Sequence, residues 1–181
     1  VIANGNITNY PFDPPSDTNL VSYYDFSDSN DLGVDAQGNN HLNETVVGSP
    51  TRSTTVPTGK SGYSFYTDGD DTSCIESGAT YYPHLNHTQC FWVRKSYLAD
   101  TQNIHAATCV YDTWSSDGGS TYLWTTNNCY ADKETFEVEN VFSLNEWVHI
   151  CQTYDEDTYA QEIFINGQSQ ATNSPTNPIR S

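Results

Sequence analysis

Short β-prone runs separated by turn residues fill most of this sequence and limit the folds open to it. Glycine, asparagine, aspartate and proline punctuate the runs, and no stretch keeps a helical period. The pattern therefore predicts an all-β fold, an antiparallel β-sandwich. The predicted strands are Leu20–Phe26, Leu42–Val47, Tyr63–Thr67, Ser73–Glu76, Cys90–Tyr97, Ile104–Tyr111, Thr121–Thr126, Thr135–Phe142, Trp147–Tyr154 and Gln161–Asn166.

The clearest alternation of apolar and polar residues begins at Thr135. Phe136, Val138 and Phe142 fall on one face of this run, whereas Glu137 falls on the other. Successive strand residues point to opposite sides of a sheet, so one face is expected to be buried and the other to contact water.

The two ends of the chain differ from its middle. Residues 1–19 contain Pro11, Pro14 and Pro15 and are predicted to form an extended arm, with the sandwich domain covering residues 20–181. The sequence stops soon after Ile163–Gly167, where a sandwich of this kind would still need a strand. We expect the sandwich to lack its C-terminal closing strand.

A sandwich without a closing strand exposes backbone donors and acceptors that another strand can pair with. The arm supplies apolar residues for such pairing, namely Ile2, Ile7, Tyr10 and Phe12. Donation of one subunit's arm to the next, repeated head to tail, builds an open filament. Insertion of the arm into its own domain, or a simple linker role, are the alternatives.

Charge excludes several partners. The 181-residue chain has 6 basic and 23 acidic residues, a net charge of −17. Binding to nucleic acid or to an anionic membrane requires a basic surface. No long apolar run is present, so we expect neither nucleic-acid binding nor membrane insertion.

Cysteine usage and glycosylation signals both indicate a secreted protein. The five cysteines show no zinc-type spacing, which favours disulfides and an oxidising compartment. Three acceptor triplets for N-linked glycans begin at Asn6, Asn43 and Asn86.

Two cysteine pairs are predicted. Cys109 and Cys129 flank a glycine turn and would lie opposite each other in a hairpin centred on residue 119. Cys90 and Cys151 lie on the two aromatic strands and form the second expected pair. Cys74 is then unpaired or bonded to another molecule.

Several segments together resemble the laminin-G-like, concanavalin A-like jelly-roll family. The resemblance rests on the order and spacing of Leu20–Phe26, Asp35–Asn40, Gly59–Phe65, Phe91–Arg94, Glu146–Ile150 and Ile163–Gly167. It implies a jelly-roll sandwich acting as an extracellular binding, adhesive or structural module, in some members with calcium and glycan ligands.

Calcium is the one cofactor that the sequence suggests. Asp35 with Asn39, and Asp68 with Asp70 and Asp71, place oxygen ligands in turns, where they can converge on one ion. The alternative is that these residues cap turns, since aspartate and asparagine side chains bond to nearby backbone groups.

No catalytic constellation is recognised, so the chain is predicted not to be an enzyme. Glu134, Glu137 and Glu139 lack the spacing of a glycosidase carboxylate pair and are interpreted as a solvated strand face. His84 and His87 come without the other ligands of a metal site.

Aromatic residues divide into core candidates and one ligand candidate. Trp92, Trp147 and Tyr154 lie in predicted strands and are assigned to the core. Trp114, beside a glycine-rich loop, is the candidate for contact with a ligand or partner.

Two functions fit this sequence. The first is a secreted, N-glycosylated structural or adhesive protein that polymerises by strand exchange. The second is a calcium-assisted carbohydrate-binding module of a larger extracellular protein.

Overall fold

All regular structure in the described residues is β-strand, as the sequence predicted. The computed structural model describes residues 20, 22–28, 30–36, 38, 42–47, 50–66, 74–77, 87–96, 104–107, 112–115, 123–126, 135–138, 141–155, 157–158 and 160–173. The strands are β1 Leu42–Val47, β2 Thr51–Ser53, β3 Ser64–Tyr66, β4 Cys74–Ser77, β5 His87–Arg94, β6 Ile104–Ala107, β7 Asp112–Ser115, β8 Leu123–Thr126, β9 Thr135–Val138, β10 Trp147–Tyr154, β11 Gln161–Ile165 and β12 Gln168–Asn173. Every strand pair is antiparallel.

The chain divides into two compact units, Val1–Thr80 and Tyr81–Ser181. In the first unit β1 pairs with β4 and β2 pairs with β3. The guanidinium of Arg52 lies 3.8 Å from the centroid of the Tyr63 ring and donates a hydrogen bond to the Ser27 carbonyl at 2.8 Å. These contacts link the β2–β3 hairpin to the segment that precedes β1.

The second unit contains two four-stranded sheets. The first sheet has the strand order β12-β11-β10-β5, and the second has the order β6-β7-β8-β9. In the first sheet, the central strand β10 pairs with β5 along its whole length, from Trp147 opposite Arg94 to Tyr154 opposite His87.

The core of the second unit lies between these two sheets. Ile150 and Ile163 on the first sheet are fully buried (0% exposed), and they cluster with Val138 at the end of β9 and with Phe142 just beyond it. Burial of Val138 agrees with the apolar face predicted for this run. The strand ends at Val138 rather than at Phe142, and Val141 and Phe142 beyond it are both buried, so the predicted alternation does not continue to Phe142. The shared cluster makes this part of the molecule a sandwich.

An Asn-Gly turn joins β11 to β12 and also fixes β10. Asn166 and Gly167 have φ of 50° and 78°, the left-handed values of the two-residue turn favoured in hairpins. The Asn166 backbone N–H donates to the His149 carbonyl at 2.8 Å, and its Oδ1 accepts the His149 backbone N–H at 2.9 Å. One residue therefore ties the end of β11 to the middle of β10.

The predicted strand Leu20–Phe26 is wrong. Leu20 and residues 22–28 form no strand in the structure. Phe26 has a φ of 55°, outside the β region, and the Asp25 carboxylate accepts the Ser27 backbone N–H at 2.9 Å. This local turn replaces strand pairing at that point.

Three strands were not predicted, namely β2, β7 and β12. All three consist mainly of polar residues, so they carry little apolar alternation, and backbone pairing with their neighbours holds them in place. β12 adds a strand after the Asn166–Gly167 turn. Whether the sandwich lacks a further closing strand stays a prediction, because residues 174–181 lie outside the described part.

Candidate functional site

A row of four residues crosses the second sheet of the second unit. Pairing places His105 on β6 opposite Trp114 on β7, Trp114 opposite Trp124 on β8, and Trp124 opposite Glu137 on β9. Residues directly opposite each other in antiparallel strands share one face of the sheet. His105, Trp114, Trp124 and Glu137 therefore form one line across a single face, here called the tryptophan row.

The tryptophan row lies on the face opposite the core. Val138, which is 8% exposed and belongs to the buried cluster, follows Glu137 on β9. Successive strand residues alternate between faces, so Glu137 and the row that it ends occupy the other side of the sheet. The same alternation places Leu123, opposite Val138, on the core side.

The composition of the row suits ligand recognition. Two adjacent tryptophans are the side chains best able to stack on a flat apolar surface while their indole N–H groups donate hydrogen bonds. A carboxylate at one end and an imidazole at the other supply an acceptor and a donor or acceptor. With strands about 4.8 Å apart, the row spans about 14 Å.

The candidate Trp114 thus lies on β7, a strand that the sequence did not predict. Its partner Trp124 was not recognised as a site residue. The hairpin register that predicts Cys109 opposite Cys129 also places residue 114 opposite residue 124, so the signal was present in the sequence.

The first sheet has its own aromatic group on the face away from the core. Trp92 and Trp147 were predicted to be core residues, and this is wrong: both are only partly buried and lie on the face opposite Val148 and Ile150. The Trp92 ring packs on the His149 imidazole with centroids 4.8 Å apart. Trp92 and Trp147 alternate with core-facing residues along β5 and β10, and this alternation places them on the face away from the core although they are apolar.

A disulfide lies next to this aromatic pair. Cys90 and Cys151 are bonded and sit directly opposite each other on β5 and β10, with Cα atoms 4.1 Å apart. This is the second of the two cysteine pairs expected from the sequence. The disulfide joins residues that are 61 positions apart. Closing a loop of this length restricts the unfolded chain and stabilises the folded state by about 4 kcal/mol.

Asp35, a predicted calcium ligand, is buried in the first unit. It is 1% exposed, and its Oδ1 accepts the Tyr23 backbone N–H at 2.7 Å. Burial, and to a smaller extent the negative charge of Asp35, raise the pKa of the Tyr24 hydroxyl, whose hydrogen bond with Ser22 acts in the opposite direction. These contacts are consistent with the turn-capping alternative, and they leave calcium binding untested.

Two further predicted residues lie on strands. Asn43, a glycosylation candidate, lies on β1 opposite Glu76. His87, considered as a metal ligand, begins β5 opposite Tyr154.

The remaining predicted sites lie outside the described residues. They are Ile2, Asn6, Ile7, Tyr10, Phe12, Asn39, Asp68, Asp70, Asp71, His84, Asn86, Cys109, Cys129, Glu134 and Glu139, of which Glu134 borders β9.

Comparison with known proteins identifies the family. Residues 67–181 match the laminin G-like family model described as the concanavalin A-like lectin/glucanases superfamily. The chain belongs to this superfamily. The match confirms the resemblance seen in the sequence, and it contains both sheets of the second unit, including the tryptophan row.

Comparison with curated proteins and with solved structures adds one partial similarity. No curated protein matches the chain. Among solved structures, a Bacteroides ovatus protein provisionally described as carbohydrate binding aligns with a TM-score of 0.41 and 20% sequence identity. The alignment covers 50% of this chain and 26% of the Bacteroides ovatus protein. The chain therefore spans about a quarter of the length of that protein.

The described residues contain no helix long and apolar enough to span a membrane.

Proposed function

We propose that this chain is a carbohydrate-binding module whose contact surface is the tryptophan row. The observation that carries the proposal is the register that sets Trp114 beside Trp124 on the face opposite Val138. Two adjacent tryptophan positions on the side of the sheet away from Val138 support contact with a ligand rather than a place in that core.

Carbohydrates suit this surface because a sugar ring has an apolar face and an edge of hydroxyl groups. The indole rings can stack on the apolar face. Glu137 and His105, at the ends of the row, can exchange hydrogen bonds with hydroxyls. A length of about 14 Å accommodates a short oligosaccharide lying across the strands.

The charge of the chain selects among carbohydrates. A net charge of −17 repels sulfated, phosphorylated or sialylated chains. The row itself contains one acidic residue and no lysine or arginine to pair with an anionic group. The proposed ligand is therefore a neutral oligosaccharide.

The composition of the row supports binding rather than hydrolysis. Hydrolysis of a glycosidic bond ordinarily requires two carboxyl groups flanking the bond. Glu137 is the one carboxylate among the four residues of the row, and Asp112, two residues from Trp114 on β7, is separated from Glu137 by strand β8. Membership of a superfamily that includes both lectins and glucanases is compatible with this interpretation.

A glycan array tests the ligand class. The full chain should bind neutral oligosaccharides, and sulfated or sialylated versions of the same backbones should bind more weakly. Selective binding of the anionic versions would contradict the proposal, and so would the absence of binding to any glycan.

Strand exchange, calcium and secretion stay predictions. The arm at residues 1–19 and most of the candidate calcium ligands lie outside the described residues. Secretion with N-linked glycans at Asn6, Asn43 and Asn86 rests on the sequence alone. The carbohydrate proposal depends on none of these features.

A further inference from the structure

Three side chains of the types that can bind a metal ion meet on the face of the first sheet that lies away from the core. His149 and Cys151 are two residues apart on β10, and Cys90 is directly opposite Cys151 on β5. One ligand atom from each lies within 4.8 Å of the other two. Among the described residues this is the one group of three such side chains brought together.

We propose that reduction of the Cys90–Cys151 disulfide creates a zinc site formed by the two thiolates and the His149 imidazole. In the oxidised protein the disulfide occupies the position that the ion would take. The site is thus controlled by redox state, and a water molecule would complete the four ligands of a tetrahedral Zn²⁺ ion.

The distances fit this coordination. Zinc binds thiolate sulfur at about 2.3 Å and imidazole nitrogen at about 2.0–2.1 Å, so tetrahedral ligands lie about 3.6–3.8 Å apart. The Cys151 Sγ is already 3.8 Å from His149 Nε2 and 4.0 Å from Nδ1. Strand pairing holds the Cys90 and Cys151 Cα atoms 4.1 Å apart, which keeps the two sulfurs within reach of one ion after they separate.

The surroundings hold the ligands in place. Asn166 bonds to both backbone groups of His149, and the Trp92 ring packs on the imidazole. Both ligand-bearing strands belong to the same sheet, with paired residues along β5 and β10. Ligands fixed on neighbouring strands lose little freedom when an ion binds.

The chemistry of opening the site is simple thiol–disulfide exchange. Cys90 is exposed, so a small thiol can reach the bond. Two molecules of the small thiol reduce the disulfide to two cysteine thiols and become one small-molecule disulfide. Zn²⁺ then displaces one proton from each thiol, binds both sulfurs and a neutral imidazole nitrogen, and releases two protons to solvent.

This zinc site is independent of carbohydrate binding. Its ligands lie on β5 and β10, whereas the tryptophan row lies on β6 to β9. A failure of either proposal leaves the other standing.

Cobalt titration of the full chain tests the site, because Co²⁺ replaces Zn²⁺ and reports thiolate ligands by absorption. Protein reduced with a water-soluble phosphine should bind one Co²⁺ with sulfur-to-cobalt and tetrahedral bands, and Zn²⁺ should displace it. The oxidised protein should show neither band. Identical spectra of the two forms, or no band after reduction, would overturn the proposal.

Variants separate this site from the other cysteines. C90S removes one thiolate ligand and should abolish the cobalt bands of the proposed site. H149Q should weaken cobalt binding by at least about tenfold and alter the tetrahedral band. H87Q is the matched control, because His87 on β5 lies three residues from Cys90 and on the other face. Equal affinity of H149Q and H87Q would exclude the imidazole as a ligand.

Mapping of protected thiols decides the matter even if a variant does not fold. In the reduced wild-type chain, Zn²⁺ should slow alkylation of Cys90 and Cys151 at least about tenfold, as measured by peptide mass spectrometry. Unchanged alkylation of these two cysteines, with or without protection of Cys74, Cys109 or Cys129, would overturn the proposal.

Discussion

Trp114 lies directly opposite Trp124 on the paired strands β7 and β8. Opposed residues of antiparallel strands have backbones about 4.5–5.5 Å apart. Val138, in the core, marks the other face of the same sheet. Register therefore places the two tryptophan positions together on the side of the sheet away from Val138, where the proposed function has them contact a ligand.

The buried cluster should dominate the stability of the second unit. Replacing Ile150, which is 0% exposed, with alanine should lower the free energy of unfolding by about 2–5 kcal/mol, because the substitution leaves a cavity between the sheets. Leu144→Ala is the control: Leu144 is 49% exposed, and its loss should change stability by about 0.5 kcal/mol or less. Urea unfolding measures both, and equal effects would contradict the placement of the core.

Lys95 should make stability depend on alkaline pH. It is 6% exposed, its Nζ lies 5.2 Å from the centroid of the Phe142 ring, and burial lowers its pKa from the ordinary 10.5. Below the lowered pKa both the folded and the unfolded chain carry the charge, so burying it costs stability. Between the lowered pKa and 10.5 the unfolded chain binds more protons, and this contribution to stability rises with pH.

The variant K95M removes this charge and tests the effect. The stability of the wild type relative to K95M should increase as pH rises towards 10.5. Urea unfolding of the two proteins at each pH measures this difference, and the contributions of the other lysines and tyrosines cancel in it. A difference that stays constant with pH would show that Lys95 does not titrate differently in the folded state.

The second disulfide, between Cys109 and Cys129, stays a prediction from the sequence. Asp112 opposite Thr126 and Trp114 opposite Trp124 centre the β7–β8 hairpin on residue 119, as that prediction requires. Pairing of Ala107 with Asp112, however, means that Cys109 belongs to the connection between β6 and β7, so the β7–β8 register does not extend to it. Peptide mapping without reduction should recover these two cysteines joined. Recovery of Cys109 joined to Cys74 would contradict the predicted pair.

Sequence patterns located the strands that carry apolar alternation or aromatic residues. Leu42–Val47 and Trp147–Tyr154 were predicted with the bounds that the structure gives, because β-branched and aromatic residues favour strands. The polar strands β2, β7 and β12 were missed because they lack apolar alternation, and backbone pairing with neighbouring strands holds them in place. The backbone turn at Phe26 likewise depends on Asp25 and Ser27 and overrides local strand propensity.

The candidate site was only half predictable for the same reason. Trp114 was selected from its position near a glycine turn, whereas Trp124 was missed although a hairpin centred on residue 119 pairs it with Trp114. Trp92 and Trp147 were assigned to the core by residue type, yet register places them on the opposite face. Composition predicts which residues are apolar, whereas register decides which face each one occupies.

Calorimetric titration of a neutral oligosaccharide into wild type, W114A and W124A tests the central claim most directly. A control variant, W147F, alters a tryptophan of the other sheet, and near-UV circular dichroism checks that each variant is folded. Loss of one stacking contact should weaken binding about tenfold in W114A and in W124A, and W147F should bind as the wild type does. Unchanged affinity in folded W114A and W124A would show that the tryptophan row is not the binding surface.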